Sequence, residues 1–206
     1  WINGKAVDSH EGGYTPFEFQ IEDFLRFGEA NHFAIRIVGP IITKDLRVDG
    51  LGANDMPHWR GGLTAGIWQS LHLKFNQQAW IAGAFYQPDL QTGGFAFEVT
   101  VKTTSLQCQK ADLQLQVFDT KDVLVSDETQ NLELQPRGNS YKNSVELKNP
   151  QLWSCENPHL YKTVLRLLID GEVVSQTSER IGLREFHFEG GRFYLNGWTT
   201  ALASSS

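Results

Sequence analysis

Apolar and polar residues alternate with a period of two along most of this chain. Every second residue of 95–101 is Phe or Val, and Leu and Val alternate with Gln over 113–117. Successive side chains of a strand point to opposite faces, so this pattern predicts β-strands with one buried face. The same reasoning predicts further strands at 164–169, 173–177 and 185–188.

Dipeptides that accept positive φ angles separate these strands at short intervals. Such dipeptides favour tight hairpin turns. Helical periodicity occurs, weakly, only at 21–27, so the predicted fold class is all-β. The four turn dipeptides are Asn3-Gly4, Asp170-Gly171, Gly190-Gly191 and Asn196-Gly197.

A domain boundary is expected close to Gln78. A predicted strand at 68–75 ends there in the polar run Asn76-Gln77-Gln78, and about seven strand candidates follow between 78 and 188. Seven strands are expected of an immunoglobulin-like sandwich. The antibody pattern has a cysteine on each of two facing strands with a tryptophan between them. It is absent because Cys155 lies in a Pro-flanked loop beside Trp153, which limits the likeness to the sandwich architecture. Five large aromatic residues are expected to pack in cores: Trp68, Trp80, Phe85, Trp153 and Tyr161.

Length and charge narrow the possible partners. The 206 residues, 40% of them apolar, are enough for one large or two small domains. The net charge of −6, with no cluster of Lys and Arg, argues against nucleic acid or an anionic membrane as a partner. Cys108 and Cys155 are too few for a disulfide scaffold and are expected to be free thiols. The chain starts at Trp1 and shows no leader, which leaves localisation open.

Three blocks of sequence, in this order, resemble glycoside hydrolase family 2, which contains β-galactosidases, β-glucuronidases and β-mannosidases. Two departures from the family pattern are Cys155 and the segment 198–203, which replaces a basic stretch. The first block comprises 3–5, 9–17 (SHEGGYTPF), 21–25 and 34–38; the second comprises 55–62 (DMPHWRGG) and 65–68 (AGIW); the third comprises 152–161 (LWSCENPHLY), 178–184 and 190–197 (GGRFYLNG).

The resemblance implies a domain organisation. Residues 1–77 would form the C-terminal part of a sugar-binding jelly roll, and 78–188 an immunoglobulin-like β-sandwich. Residues 189–206 would begin the linker to a (β/α)8 barrel and end in a disordered tail. The family's two catalytic glutamates lie on barrel strands, so the chain is expected to lack catalytic residues and to be inactive alone. Carbohydrate would be bound through the absent barrel.

Two functions stay open. The first is a non-catalytic accessory fragment of a retaining β-glycosidase, and the alternative is a stand-alone carbohydrate-binding sandwich. Without the barrel and earlier strands, uncovered apolar surface is expected to cause self-association into a homo-oligomer or strand exchange. The six histidines lack metal-ligand spacing, so neither a metal nor another cofactor is expected.

One loop has the composition of a sugar-contact site. Sugars present C–H faces to aromatic rings and hydroxyls to carboxylates and amides, and this Gly-rich loop supplies both types of group. The resemblance matches Asp55 to an aspartate of the family that precedes a Trp and reaches the active-site pocket. The alternative is a loop that only supports a domain interface. The candidate substrate-binding residues are Asn54, Asp55, His58 and Trp59.

Overall fold

The computed structural model describes residues 1–13, 15–38 and 66–201. The chain divides into two compact units, Trp1–Leu73 and Lys74–Ser206. All strands pair antiparallel, which confirms the all-β prediction. Among the described residues the helical structure is one 3-10 turn at Glu22–Phe24, inside the segment with weak helical periodicity.

The first unit is held by a turn and by a cluster of asparagines. Asn3 and Gly4 adopt φ angles of 51° and 79°, and Ile2 bridges to both Lys5 and Phe33. The Asn3 side chain donates from Nδ2 to the Phe24 carbonyl at 2.9 Å, while its Oδ1 accepts from the His32 backbone N–H at 3.1 Å. The side-chain amide of the half-buried Asn3 thus connects segments about thirty positions apart in the sequence.

The predicted strand at 68–75 is wrong, because no strand is assigned anywhere in 66–78. A strand needs a ladder partner for its backbone groups, and these residues form no β-ladder with the described part of the chain. Trp68 is 66% exposed and Phe75 82% exposed, so the apolar alternation here does not mark a buried face.

The second unit contains a two-sheet antiparallel sandwich, in agreement with the predicted architecture. One sheet has three strands in the order β1-β2-β5, and the other has four in the order β4-β3-β6-β7. The sequence predicted about seven strands between 78 and 188, including one at 185–188; the sandwich has seven strands but ends at Ile181, and Phe186–Glu189 belongs to a separate sheet. The bounds of the sandwich strands are β1 Ala79–Asp89, β2 Gly94–Thr103, β3 Gln109–Phe118, β4 Leu124–Leu134, β5 Asn139–Glu146, β6 Tyr161–Ile169 and β7 Glu172–Ile181.

The core lies between the two sheets and follows the alternation seen in the sequence. Inward positions of β2, β3 and β6 are buried, whereas most of their neighbours are half-buried or exposed. Tyr161 is buried as expected and Trp80 and Trp153 are half-buried, but Phe85 is 66% exposed because it occupies an outward position of edge strand β1. The fully buried residues include Phe95, Val99, Val101, Leu113, Leu115, Val117, Leu134, Leu165 and Leu167.

Side chains join the two sheets at both seams. Between β1 and β7, the Ile81 backbone N–H donates to Ser175 Oγ at 3.1 Å. Between β5 and β4, the Tyr141 hydroxyl donates to the Glu133 carbonyl at 2.9 Å. Sheet edges present unpaired backbone groups that invite pairing with other chains, and these contacts occupy part of them.

A small three-stranded sheet follows the sandwich. Its strands are β8 Phe186–Glu189, β9 Arg192–Leu195 and β10 Trp198–Thr200, in the order β10-β9-β8. Both connecting turns have positive φ at both central residues, as the dipeptides Gly190-Gly191 and Asn196-Gly197 predicted. We call this sheet the meander.

Candidate functional site

The four predicted sugar-contact residues, Asn54, Asp55, His58 and Trp59, lie outside the described residues. Their role therefore stays a prediction. The structure does describe polypeptide on both sides of this segment, up to Val38 and again from Gly66, within the first unit.

Aromatic rings with polar edges gather in the first unit. His10 stacks on Phe17 with ring centroids 4.2 Å apart and an interplanar angle of 19°. Thr15 Oγ1 lies 3.3 Å from His10 Nε2, and Trp68 Nε1 donates to the Gly13 carbonyl at 2.8 Å. Phe17 is 54% exposed, so its ring can meet a ligand from solvent. We call His10, Thr15 and Phe17 the ring cluster.

Sequence reasoning used the segment 9–17 only as a family resemblance and assigned no contact role to its side chains. A signal was present, because His10 and Phe17 flank a Gly-Gly-x-Thr-Pro turn that can bring them together. The hydrogen bond from Trp68 to the Gly13 carbonyl shows that these two residues, 55 positions apart in the sequence, are in contact. The segment that carries the ring cluster is therefore in contact with Trp68, which follows the predicted loop in the sequence.

A second set of side chains joins the sandwich to the meander. Trp153 donates its backbone N–H to the Leu183 carbonyl at 2.9 Å, and its own carbonyl accepts from Asn196 Nδ2 at 2.9 Å. Asn196 Oδ1 accepts from the Glu185 backbone N–H at 3.0 Å, and the Asn196 N–H donates to the Glu185 carbonyl at 2.9 Å. We call Trp153, Gly182, Arg184 and Asn196 the junction cluster.

The indole of Trp153 fills the space beside two other members of the junction cluster. The Arg184 guanidinium carbon lies 4.7 Å from the ring centroid, within reach of a cation–π attraction. A Cβ added to Gly182 would lie only 3.1–3.2 Å from Trp153 atoms, so a larger residue there would push the indole away. Sequence reasoning missed both contacts, since residues about 30 positions apart are not linked by any local pattern.

The side chains with shifted pKa values have structural roles and do not suggest acid–base catalysis. The backbone N–H groups of Val123 and Lys121 donate to Asp119 Oδ1 at 2.9 and 2.8 Å and lower the pKa of that carboxyl. A glycosidase general acid needs the opposite shift, a raised pKa. Burial raises the pKa of the Tyr86 hydroxyl, which lies against the sandwich core.

Other chemistries receive no support from the described residues. Within 1–13, 15–38 and 66–201, no three His, Cys, Asp or Glu side chains come together as metal ligands. Cys108 and Cys155 are both exposed free thiols. No helix in the described part of the chain is long and apolar enough to span a bilayer.

Comparisons with known proteins agree on one family. The family model for glycosyl hydrolases family 2 matches residues 79–184, which is just over half of the chain. The β-galactosidase of Thermoanaerobacter pseudethanolicus is 24% identical over 199 residues, covering 96% of this chain and 26% of that protein. A β-glucuronidase of Bacteroides fragilis is 26% identical, covering 96% of this chain and 29% of its own length.

A solved structure extends the similarity to the fold. The crystal structure of a glycosyl hydrolase family 2 member from Bacteroides cellulosilyticus superimposes with a TM-score of 0.81 and 27% identity. The match covers 96% of this chain and 26% of that one. The chain thus spans about a quarter of the length of the relatives it matches. Given the family model over the sandwich and the similar structure over nearly the whole chain, the chain belongs to glycosyl hydrolase family 2.

Proposed function

We propose that this chain is the non-catalytic accessory part of a longer family 2 β-glycosidase, in which it supports the catalytic domain and lines the rim of the sugar pocket. One observation carries the proposal: relatives named β-galactosidase and β-glucuronidase match 96% of this chain with only about a quarter of their own length. In this proposal 1–77 is jelly roll, 78–188 is the immunoglobulin-like sandwich, and 189–206 leads toward a barrel that carries the catalytic glutamates.

The first test measures the size and activity of the native gene product. An antibody against this chain would detect the product in extracts of the source cells, and the same band would be assayed on aryl β-galactosides and aryl β-glucuronides. A product much larger than 23.2 kDa that hydrolyses either substrate supports the proposal. An inactive product of 23.2 kDa refutes it.

Within this proposal Asp55 and Trp59 help line the sugar pocket, with Asn54 and His58 beside them. Replacing Asp55 by Ala in the complete enzyme should lower kcat/KM on aryl β-glycosides at least tenfold, since a lost hydrogen bond to a substrate hydroxyl leaves polar groups unpaired. Asp23→Ala is the matched control, because Asp23 is an exposed carboxylate on the 3-10 turn of the same unit. Equal kcat/KM for the two variants would remove Asp55 from the pocket.

The alternative function is a stand-alone carbohydrate-binding module, and the exposed ring cluster favours it. Calorimetric titration of the 206-residue chain with galactose, glucuronate and a β-linked oligosaccharide would test it. Measurable binding that Phe17→Ala abolishes would support the module, with Phe27→Ala as control because Phe27 is 75% exposed in the same unit. Absence of binding in the millimolar range would exclude it.

A further inference from the structure

The meander has two chemically different faces. Cross-strand partners of an antiparallel pair lie on the same face of a sheet. Phe186 pairs with Leu195 and Phe188 with Phe193 in one ladder. Trp198 pairs with Leu195 and Thr200 with Phe193 in the other. We call the resulting side the meander face: Phe186, Phe188, Phe193, Leu195, Trp198 and Thr200.

The opposite face is polar and charged. His187 stacks on its cross-strand partner Tyr194 with ring centroids 5.0 Å apart and an interplanar angle of 9°. Glu185 Oε1 lies 3.3 Å from His187 Nδ1, and Glu189 Oε2 lies 4.0 Å from Nε2. An antiparallel sheet with one apolar and one polar face normally packs its apolar face against protein and leaves its polar face in solvent.

The apolar side is nevertheless in solvent. Phe186, Phe188 and Trp198 are 49%, 62% and 81% exposed, and none of them belongs to the sandwich core. Phe193 packs against two of these rings, with its ring centroid 5.7 Å from that of Phe186 and 4.9 Å from that of Phe188, which holds both in place. Exposed contiguous aromatic surface of this kind marks a docking site.

We propose that the meander face is the docking surface for the polypeptide that follows residue 201 in the longer protein. This inference rests on the proposed function. The chain spans about a quarter of its relatives, and β10 is the last element described, so polypeptide that continues from it emerges beside this face. The occupant is an apolar surface of that following domain.

The size of the face favours a tethered domain over a second copy of the chain. Three strands of four residues at most span about 14 Å by 14 Å, or roughly 200 Å². A stable dimer needs about 800 Å² on each partner. A domain on the same polypeptide docks at an effective concentration near the millimolar range, so a small patch is enough.

Two variants of strand β10 test the apolar and polar faces of the meander separately. Trp198→Asp places a charge on the meander face, and Thr199→Asp places the same charge on the polar face one position along; both residues are exposed. Amide hydrogen exchange over 186–200 would be followed in the 206-residue chain and in the complete gene product, with sedimentation and hydrolysis of aryl β-glycosides measured on the same samples.

We expect exchange over 186–200 to be at least tenfold slower in the complete product, and Trp198→Asp but not Thr199→Asp to remove this protection. Equal exchange in both proteins, with hydrolysis intact, overturns the docking surface while the proposed function stands. A dimer of the 206-residue chain that Trp198→Asp dissociates shows that a second copy covers the face and also overturns it. A gene product of 23.2 kDa without hydrolysis overturns both proposals.

Discussion

Replacing Asn196 by Ala should loosen the attachment of the meander to the sandwich. The Asn196 side chain donates to the Trp153 carbonyl and accepts from the Glu185 backbone N–H, so Ala removes two hydrogen bonds. Asn196 also adopts φ 52°, in the left-handed region that Asn tolerates better than Ala.

The cost can be worked from these two effects. Each hydrogen bond contributes about 1 kcal/mol to the free energy of unfolding. An Ala in the left-handed region adds a backbone penalty of about 1 kcal/mol. The sum is about 3 kcal/mol, which for a urea m-value of about 2 kcal/mol/M shifts the unfolding midpoint by about 1.5 M.

The matched control is Asp170→Ala. Asp170 has the same φ of 52° at the first position of the β6–β7 turn, and its side chain makes no hydrogen bond to any residue that the structure describes. It should therefore cost only the backbone term, about 1 kcal/mol. Asn196→Gly should fall between the two, since Gly relieves the backbone but not the lost hydrogen bonds.

Urea unfolding of the 206-residue chain, followed by far-UV circular dichroism, would rank these variants. The reasoning predicts that Asn196→Ala is the least stable, then Asn196→Gly, then Asp170→Ala. If Asn196→Ala were no less stable than Asp170→Ala, the side-chain hydrogen bonds of the junction cluster would contribute nothing and the account would be refuted.

Three further predictions concern the sandwich. Gly94→Ala should prevent folding of the unit, because a Cβ there would lie 1.8 Å from the Val145 carbonyl oxygen, whereas Gly83→Ala, with nothing within 4 Å, should be neutral by circular dichroism. Leu165→Ala should lower the free energy of unfolding by about 3 kcal/mol because the side chain is fully buried, and a loss below 1 kcal/mol in urea would contradict its central position. Hydrogen bonds from the backbone N–H groups of Val123 and Lys121 lower the pKa of Asp119, so its ionised form stabilises the fold above the ordinary value of 3.8, and this contribution is lost as pH falls through the folded-state pKa. Asp119→Asn should therefore be less stable than the parent chain in urea at pH 7, and the difference should shrink as the pH is lowered below 3.8.

The strands of the sandwich could be predicted from the sequence because each buries one face against a shared core. The alternation in 95–101 and 113–117 became β2 and β3 with their Phe, Leu and Val side chains inside. The turns could be predicted equally well from their dipeptides, since a positive φ at two successive residues restricts the amino acids that fit.

Period-two alternation fails as a guide where the face that it marks has no partner. Leu71, Leu73 and Phe75 alternate with polar neighbours, but Leu71 is 69% exposed and no ladder forms with the described residues. Phe85 fails for the related reason that it lies on the outward side of an edge strand. Periodicity reports that one face is apolar, and only the surrounding structure determines what covers it.

The candidate site exposes a different limit. Side chains such as Asn196 and Trp153 lie 43 positions apart, and no local spacing links them. The dipeptide Asn196-Gly197 predicted the turn because both residues tolerate its positive φ angles, but it did not predict the two hydrogen bonds of the Asn196 side chain. The turn signal was thus correct for the backbone, while the contacts of the side chain depended on the tertiary structure.

The junction cluster and the meander face depend on each other physically. A docking surface of about 200 Å² holds a domain only if its orientation is fixed in advance, since ordering it on contact would cost conformational entropy. Asn196 lies in the β9–β10 turn and Glu185 directly before β8. Their hydrogen bonds to each other, and that of Asn196 to Trp153, hold the start of β8 and this turn against the segment at Trp153. A loosened junction should therefore weaken docking even when every ring of the meander face is intact, which makes Asn196→Ala in the complete protein a second route to the loss of protection expected for Trp198→Asp.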